Sequence, residues 1–260
     1  MRFDYYAATL PASVSLCTDW ISKTFKGVLV DEKPVKPYKH GVRHHQRGFR
    51  LYWGGENPHP FFVASGASAI EAAAALRSDF PHHRVSRADV AFDFRQDGGF
   101  DRMVAAIDPI ARASRVAVCF VGDPDNRHDT GRTMYYGSPK SDVRIVVYEK
   151  GLHEASRGDK TAPRDWVRVE LRVRPRKDRK ALCRALSPSE MWGLAKWSVA
   201  VSSDVLGAVT PYQPDQSLRR SNADKAVSHM LRQYAASLRA FCDEHGQEEL
   251  FARIREVVDA

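Results

Sequence analysis

The sequence has few cysteines and no long apolar run. Its four cysteines, Cys17, Cys119, Cys183 and Cys242, form no CxxC pair. All lie in apolar or helical contexts, which favours reduced, buried thiols in a reducing compartment. No apolar stretch approaches the length of a membrane span, and no charged and apolar leader opens the chain. We therefore expect a cytoplasmic protein without a membrane partner.

Acidic residues are also fewer than basic ones. The 260 residues carry 40 Lys and Arg against 32 Asp and Glu, a formal net charge of +8. Such an excess favours an anionic partner, most often nucleic acid, although a merely soluble basic protein stays open on charge alone. Apolar residues make up 43% of the chain, enough for one large domain or a domain with a helical appendage.

Strand and helix patterns mix along the first two-thirds of the chain. Alternation predicts strands at 3–10, 48–53, 61–64, 85–94, 116–121 (buried), 133–136, 143–150 and 166–173. Helical patterns lie at 14–25, 68–80, 100–113, 187–205 and 223–258, with loops or linkers at 31–39, 123–132 and 210–218. Capping-box patterns begin at Ser68 and Ser187. We predict an α+β fold, a central, mostly antiparallel sheet with packed helices, divided into 1–180 and a helical region at 181–260.

Three predicted strands each carry polar side chains on one face, because alternate residues of a strand point the same way. These residues are Arg87, Asp89 and Asp93, then Arg144 and Tyr148, then Arg168, Glu170 and Arg172. If the faces adjoin, they offer carboxylates for a hard divalent cation, a phenol for attack and arginines for phosphate. Those groups suit phosphodiester transfer. A solvated sheet with cross-strand ion pairs has the same pattern and stays open as an alternative.

Other residues compete for these roles. Tyr135 and Tyr136 are alternative nucleophiles, although a tyrosine in a strand is usually a packing residue. The histidine doublets at 44–45 and 82–83 would point to opposite faces of a strand and could not chelate a metal together. His153 could be a proton acceptor or an exposed loop residue; the second interpretation is favoured, and the first stays open.

Three segments, in order, resemble the replication initiation factor family, the rolling-circle initiators of small plasmids and filamentous-phage-like elements. They read RADVAFDF (87–94), TMYYGSPKSDVRIVVYEKGLHE (133–154) and WVRVELRVR (166–174). The family pattern is an R-x-D-x-A-x-D-F strand, then Y-x-G with a polar turn and R-I-Y-x-K, then an R-x-E strand. The resemblance spans roughly 3–174, and three linked motifs are far more specific than any one of them.

The resemblance implies which residues act. The nicking tyrosine falls on Tyr148, with Lys150 in the lysine position and Arg144 as a further catalytic candidate. The paired aspartates fall on Asp89 and Asp93 and the glutamate on Glu170; as hard oxygen donors, these three are the predicted ligands of Mg²⁺ or Mn²⁺. Apart from the resemblance, the predicted DNA contacts are Arg87, Arg168, Arg172, Arg174, Arg176 and Lys177. Pairing of Arg87 with one of the aspartates, and a solvated loop at 172–180, stay open as alternatives. The interval from Tyr148 to Glu154 is looser than in the plasmid initiators, so a role for Glu154 stays open.

The resemblance also implies an activity, metal-dependent nicking and joining of DNA by a nuclease domain at 1–180. Such a protein cuts one strand at an origin, stays joined through a 5′-phosphotyrosine and leaves a 3′-hydroxyl that primes the polymerase. The expected partner is DNA, single-stranded or as a supercoiled origin; host helicase, host polymerase and a homodimer are further candidates. Two alternatives remain: a DNA-binding regulator that has lost cutting, and a metal nuclease that uses activated water.

Overall fold

The computed structural model of the chain describes residues 1–123, 131–210, 227 and 230–258. Two compact units, Met1–Gln216 and Ser217–Ala260, are distinguished. In the first unit, the described strands are β1 Arg2–Thr9, β2 Leu29–Asp31, β3 His40–His44, β4 Phe49–Trp53, β5 Phe61–Ser65, β6 Arg84–Arg95, β7 Val118–Val121, β8 Thr133–Tyr136, β9 Val143–Tyr148 and β10 Trp166–Val173. They form one antiparallel sheet in the order β2-β3-β4-β5-β1-β6-β10-β9-β8-β7.

The sheet is organised around β6, which pairs with β1 on one side and β10 on the other. Its alternation separates two faces: Val90 and Phe92 join the main hydrophobic core, while Asp89 and Asp93 point to the opposite side. Both aspartates are nonetheless buried. The predicted α+β fold with a central antiparallel sheet is confirmed.

Helices cover the apolar face. The described helices of the first unit are α1 Val14–Thr24, α2 Ser68–Asp79, α3 Gly99–Ala113, α4 Lys150–Ser156, α5 Arg179–Leu182, α6 Pro188–Met191 and α7 Lys196–Ala200. Ile21 of α1, Leu76 of α2 and Ile107 of α3 are fully buried in the main core with the apolar side of the sheet. By contrast, α4 lies against the polar face, where His153 contacts Tyr148.

The ends of the sheet differ from the sequence predictions. Strands β2 and β3 were not predicted, because each is short and carries polar residues. The strand predicted as buried at 116–121 is shorter, and all four residues of β7 are exposed because it forms one edge of the sheet. Cys119, predicted to be a buried thiol, is therefore exposed.

One of the two predicted capping boxes does not form. Helix α2 is preceded by Ala67 without a side-chain cap, and Ser68 Oγ instead accepts a 3.2 Å hydrogen bond from the Gly48 amide. The box at Ser187 is confirmed, with Glu190 donating its amide to Ser187 Oγ and accepting the Ser187 amide in return. The helix after it ends at Met191, however, and short 3₁₀, α and π turns replace the single helix predicted to residue 205.

The helical segments after residue 178 belong partly to each unit. Cys183, Trp192 and Leu206 pack into the main core of the first unit. The second unit contains α8 Ala235–His245 and α9 Gln247–Val258. The predicted linker beyond Thr210, the start of the predicted tail helix at 223–226 and most of the predicted polar loop at 123–132 lie outside the described residues; the functional division at residue 180 stays a prediction. Across the described part of the chain, no helix combines the length and apolar character that crossing a membrane requires.

Candidate active site

Strands β6, β10 and β9 are neighbours, so the polar faces predicted separately form one surface. On β10, Arg168 lies opposite Asp93 on one side and Tyr148 on the other. Glu170 lies between Ala91 of β6 and Val146 of β9. The three motifs therefore converge on one stretch of the sheet.

Tyr148 ends β9 and is only 9% exposed. Its hydroxyl donates a 3.2 Å hydrogen bond to Glu170 Oε2, and Glu170 Oε1 accepts a 2.6 Å bond from Arg172 Nε. Burial raises the pKa of Tyr148 well above its ordinary value of 10, although Arg168 opposes the rise. The phenol is therefore neutral and directs its proton toward Glu170.

Asp89 lies beside this pair and carries a perturbed carboxyl group. Arg87 holds it through two bonds of 2.9 and 2.5 Å, and Arg172 Nε lies 3.9 Å away. Burial, and then the negative charge of Glu170, raise the pKa of Asp89 to about 6, while Arg87 and Arg172 oppose the rise. The neighbouring Glu170 charge and the burial of Asp89 thus both disfavour the negative charge of Asp89.

Asp93 is not available in the same way. Its oxygens accept bonds of 2.7 Å from Arg168 Nε and 2.6 Å from Trp166 Nε1, and Arg2 forms a 2.7 Å ion pair with it. Arg168 also reaches Asp4 at 2.9 Å and is fully buried. The guanidinium group of Arg168 is thus enclosed by acidic partners, an arrangement that does not support the predicted DNA contact of this residue.

The predicted three-carboxylate metal site fits only in part. Among the described residues, no group of three or more His, Cys, Asp or Glu side chains is arranged to hold a metal ion. Asp93 does not fit, because arginines and an indole already occupy its oxygens. Asp89 and Glu170 are the remaining pair of hard oxygen donors; Arg87 and Arg172 contact them, and a cation would displace these part-exposed arginines more readily than the buried Arg168 beside Asp93.

Helix α4 places a cation and an imidazole beside the tyrosine ring. Lys150 Nζ lies 5.8 Å from the centre of the Tyr148 ring and pairs with Glu154, and burial lowers the pKa of Lys150. His153 makes an edge-on contact with the ring at 5.7 Å. Burial lowers the pKa of His153 to about 4, so the imidazole is neutral near pH 7. The prediction of an exposed loop histidine is therefore wrong: His153 is half-buried in a helix.

A second aromatic residue gathers arginines on the other side of Glu170. The guanidinium carbon of Arg144 lies 4.1 Å from the centre of the Tyr135 ring, and that of Arg172 lies 6.0 Å away. Arg144 Nε is buried and has no hydrogen-bond partner among the described residues. Tyr136 points to the apolar face, where its hydroxyl donates to Asp108 at 2.8 Å. Arg144 can therefore receive an anion, whereas Tyr136 lies away from the site.

The remaining predicted DNA contacts lie at the end of β10 and in the turn that follows. Arg174, Arg176 and Lys177 are all exposed. Arg174 bonds to the Pro139 carbonyl at 3.2 Å, and Arg176 pairs with Asp142 at 2.9 Å. These residues adjoin the site without closing it. The sequence interpretation missed Arg2 and Asp4, because β1 reads as a mostly apolar strand; the R-x-D spacing at its start was the available signal.

One face of the sheet thus brings together a tyrosine, two carboxylates and several arginines. The replication initiation factor family model matches residues 83–250, more than half of the chain, and the protein belongs to that family. The resemblance carried by the three motifs is thus confirmed, and DNA is the partner expected of such an initiator.

A solved structure shares the fold. The rolling circle replication initiator protein from Geobacillus stearothermophilus aligns with a TM-score of 0.50 and 16% identity, covering 84% of this chain and 90% of that chain. At this identity the likeness concerns the fold alone. A comparison with curated proteins finds no match.

Proposed function

We propose that this replication initiation factor nicks and rejoins DNA at an origin, with Tyr148 as the nucleophile, to start rolling-circle replication of a plasmid or phage-like element. The observation that carries the proposal is the 3.2 Å hydrogen bond from the Tyr148 hydroxyl to Glu170. A phenol with a raised pKa is a poor nucleophile unless a neighbouring base takes its proton, and Glu170 is in position to do so.

In the proposed step, the Tyr148 oxygen attacks the scissile phosphorus as its proton passes to Glu170. The bond from phosphorus to the 3′ oxygen breaks, and that oxygen gains a proton from solvent to become a 3′-hydroxyl. The 5′ phosphate stays on Tyr148. Joining is the reverse: a 3′-hydroxyl attacks the phosphotyrosine, and the phenol regains its proton from Glu170. The phosphodiester is exchanged rather than hydrolysed, so the DNA can be resealed.

Arginines would bind the phosphate during this exchange. Arg144 supports this role because its buried Nε has no partner among the described residues. Arg172 contacts both Glu170 and the Tyr135 ring, which keeps a second guanidinium group beside the carboxylate. Guanidinium groups match phosphate oxygens in geometry and stabilise charge that develops during transfer. Arg168 acts as a positioning residue through Asp93 and Asp4.

A divalent cation, Mg²⁺ or Mn²⁺, belongs to the proposal. Asp89 and Glu170 would hold it, and it would supply Lewis-acid stabilisation of the phosphate charge. The support is chemical: both are oxygen donors, and the pKa of Asp89 is raised to about 6 by burial and by the charge of Glu170, an imbalance that a cation would relieve. Asp93 is not included. Glu170 Oε2, which faces Tyr148, would remain the proton acceptor.

The test is incubation of the purified protein with a supercoiled plasmid carrying its own origin, in the presence of Mg²⁺ or Mn²⁺. We expect relaxed or nicked plasmid and a covalent protein–DNA adduct, both lost in Tyr148→Phe. The non-cleaving regulator predicts binding without metal-dependent cutting. The activated-water nuclease predicts cut DNA with no adduct.

A further inference from the structure

A row of arginines crosses the sheet on the same face as Tyr148. Strand register places Arg43 opposite Arg50, Arg50 opposite Val63, Val63 opposite Ala7 and Ala7 opposite Arg87, across β3, β4, β5, β1 and β6. Neighbouring strands lie about 4.8 Å apart, so the row is roughly 20 Å long. We call Arg43, Arg50 and Arg87 the arginine row.

The middle of the row is apolar and is covered by aromatic rings. Ala7 and Val63 are buried and have short side chains, and they form a small cluster with Tyr52 that is separate from the main core. Tyr38 and Phe61 edge this cluster with their rings stacked at 5.5 Å and 2°. Tyr38 also stacks on Tyr52 at 6.3 Å. Because Tyr38 and Phe61 are only half-buried, part of each ring is exposed on this face of the sheet.

The row leads directly to the candidate active site. The Arg87 guanidinium carbon lies 4.5 Å from the centre of the half-buried Tyr5 ring. The same Arg87 donates a hydrogen bond to Asp89, and the negative charge of Glu170 contributes to the raised pKa of Asp89. Arg50 and Arg174 also act electrostatically on the Tyr5 phenol. Arg87 therefore belongs both to the arginine row and to the candidate active site.

Positive charge exceeds negative charge around the far end of the row. Arg43 and Arg50 both contact Glu32, at 3.1 and 3.5 Å, so one carboxylate serves two guanidinium groups. The loop at 32–39, which contains Tyr38, also carries three exposed lysines, Lys33, Lys36 and Lys39. A polyanion with apolar faces complements this combination of charge and aromatic rings.

We propose that the arginine row is the path of the single-stranded DNA that flanks the nick. Phosphates would lie on Arg43, Arg50 and Arg87, and unpaired bases would stack on the exposed parts of Tyr38 and Phe61. Stacking on aromatic side chains requires exposed base faces, which single strands have and duplexes conceal. The inference rests on the proposed function, because it extends the substrate outward from Tyr148.

The experiment measures binding of a fluorescent oligothymidylate to the full chain by anisotropy over a series of salt concentrations. The test variant combines Arg43→Gln with Arg50→Gln. Its control combines Arg102→Gln with Arg112→Gln, two exposed arginines of α3 on the other side of the sheet. We expect the test variant to lower the slope of log K against log salt by about 1.4, since each phosphate contact with a single strand contributes about 0.7. The control should keep the wild-type slope.

A second variant tests the proposal independently, in case the double arginine variant does not fold. Tyr38→Ala should weaken oligothymidylate binding about fivefold or more, from the loss of one stacking contact, while Tyr38→Trp keeps it. Wild-type affinity and salt slope in both test variants would overturn the proposal, as would an equal loss of duplex and single-strand binding. Adduct formation by the wild-type protein is scored separately. Its absence would overturn the proposed function but leave the binding result standing.

Discussion

The hydroxyl of Tyr148 and the carboxylate of Glu170 are joined by a 3.2 Å hydrogen bond between adjacent strands, although 22 positions separate the residues in the chain. Arg172 holds the other oxygen of Glu170 at 2.6 Å. This arrangement directs Oε2 toward the phenol and makes Glu170 the group that receives its proton. The catalytic prediction thus concerns a pair of residues rather than a lone tyrosine.

Glu170→Gln tests the pair. An amide keeps the size of the side chain but cannot accept the phenol proton as a base, so adduct formation should slow by about 10²- to 10⁴-fold. The measurement is the single-turnover rate on an origin oligonucleotide. Glu71→Gln is the control, because Glu71 is an exposed residue of α2, which packs on the apolar face of the sheet, opposite Tyr148. Equal rates for Glu170→Gln and the wild type would remove Glu170 from the mechanism.

Arg168→Met tests the buried ion network. Arg168 is fully buried between Asp93 and Asp4, so its loss leaves carboxylates without their partner. Breaking such a pair destabilises a protein by about 3–5 kcal/mol. Urea unfolding should show this loss, whereas Arg174→Met at the exposed end of β10 should lie within about 0.5 kcal/mol of wild type. Similar unfolding midpoints for the two variants would contradict the structural role of Arg168.

Asp89→Asn tests the proposed cation site. Removing one of two charged oxygen donors should weaken Mn²⁺ binding by about tenfold or more. Electron paramagnetic resonance of free Mn²⁺ measures this affinity without DNA. Asp97→Asn, an exposed carboxylate in the turn after β6, provides the control. Unchanged Mn²⁺ affinity in Asp89→Asn would place the cation elsewhere.

His153 should contribute to the pH dependence of stability. Burial, with Arg157 and Lys150 nearby, lowers its pKa from 6.5 to about 4, so the unfolded chain takes up the proton first and acid favours unfolding. As the pH falls from 6.5 toward 4, the free energy of unfolding of His153→Asn should decrease by about 1 kcal/mol less than that of the wild type. This figure is reduced because the side chain is partly exposed. Denaturant unfolding at pH 7 and pH 4.5 measures the difference. Parallel losses in both proteins would show that His153 does not titrate as described.

The sequence predicted which face of a strand each side chain occupies, but it did not predict which strands are neighbours in the sheet. Alternation placed Asp89 and Asp93 on one side of β6, and that is correct. It could not separate the roles of the two aspartates. Strand register places Arg168 opposite Asp93, and Arg168 also contacts Asp4, which lies 164 positions away in the chain. Pairings over such distances depend on which strands adjoin, and periodicity does not record that.

The sequence also did not predict how deeply some residues are buried. β7 has the apolar composition of a buried strand, yet its position at the edge of the sheet exposes it. His153 follows a strand and a glycine, which resembles a loop, but α4 folds it back onto Tyr148. The three linked motifs succeeded because they specify strands that later adjoin, so a short pattern carried long-range information.

The most direct test of the central claim is the location of the covalent link. The protein is incubated with a single-stranded oligonucleotide that spans its origin nick, digested with protease and nuclease, and analysed by mass spectrometry. We predict a 5′-phosphotyrosyl nucleotide on the peptide containing Tyr148, absent in Tyr148→Phe and present in Tyr136→Phe, whose hydroxyl faces the opposite side of the sheet. A nucleotide on another residue, or an undiminished adduct in Tyr148→Phe, would contradict the account.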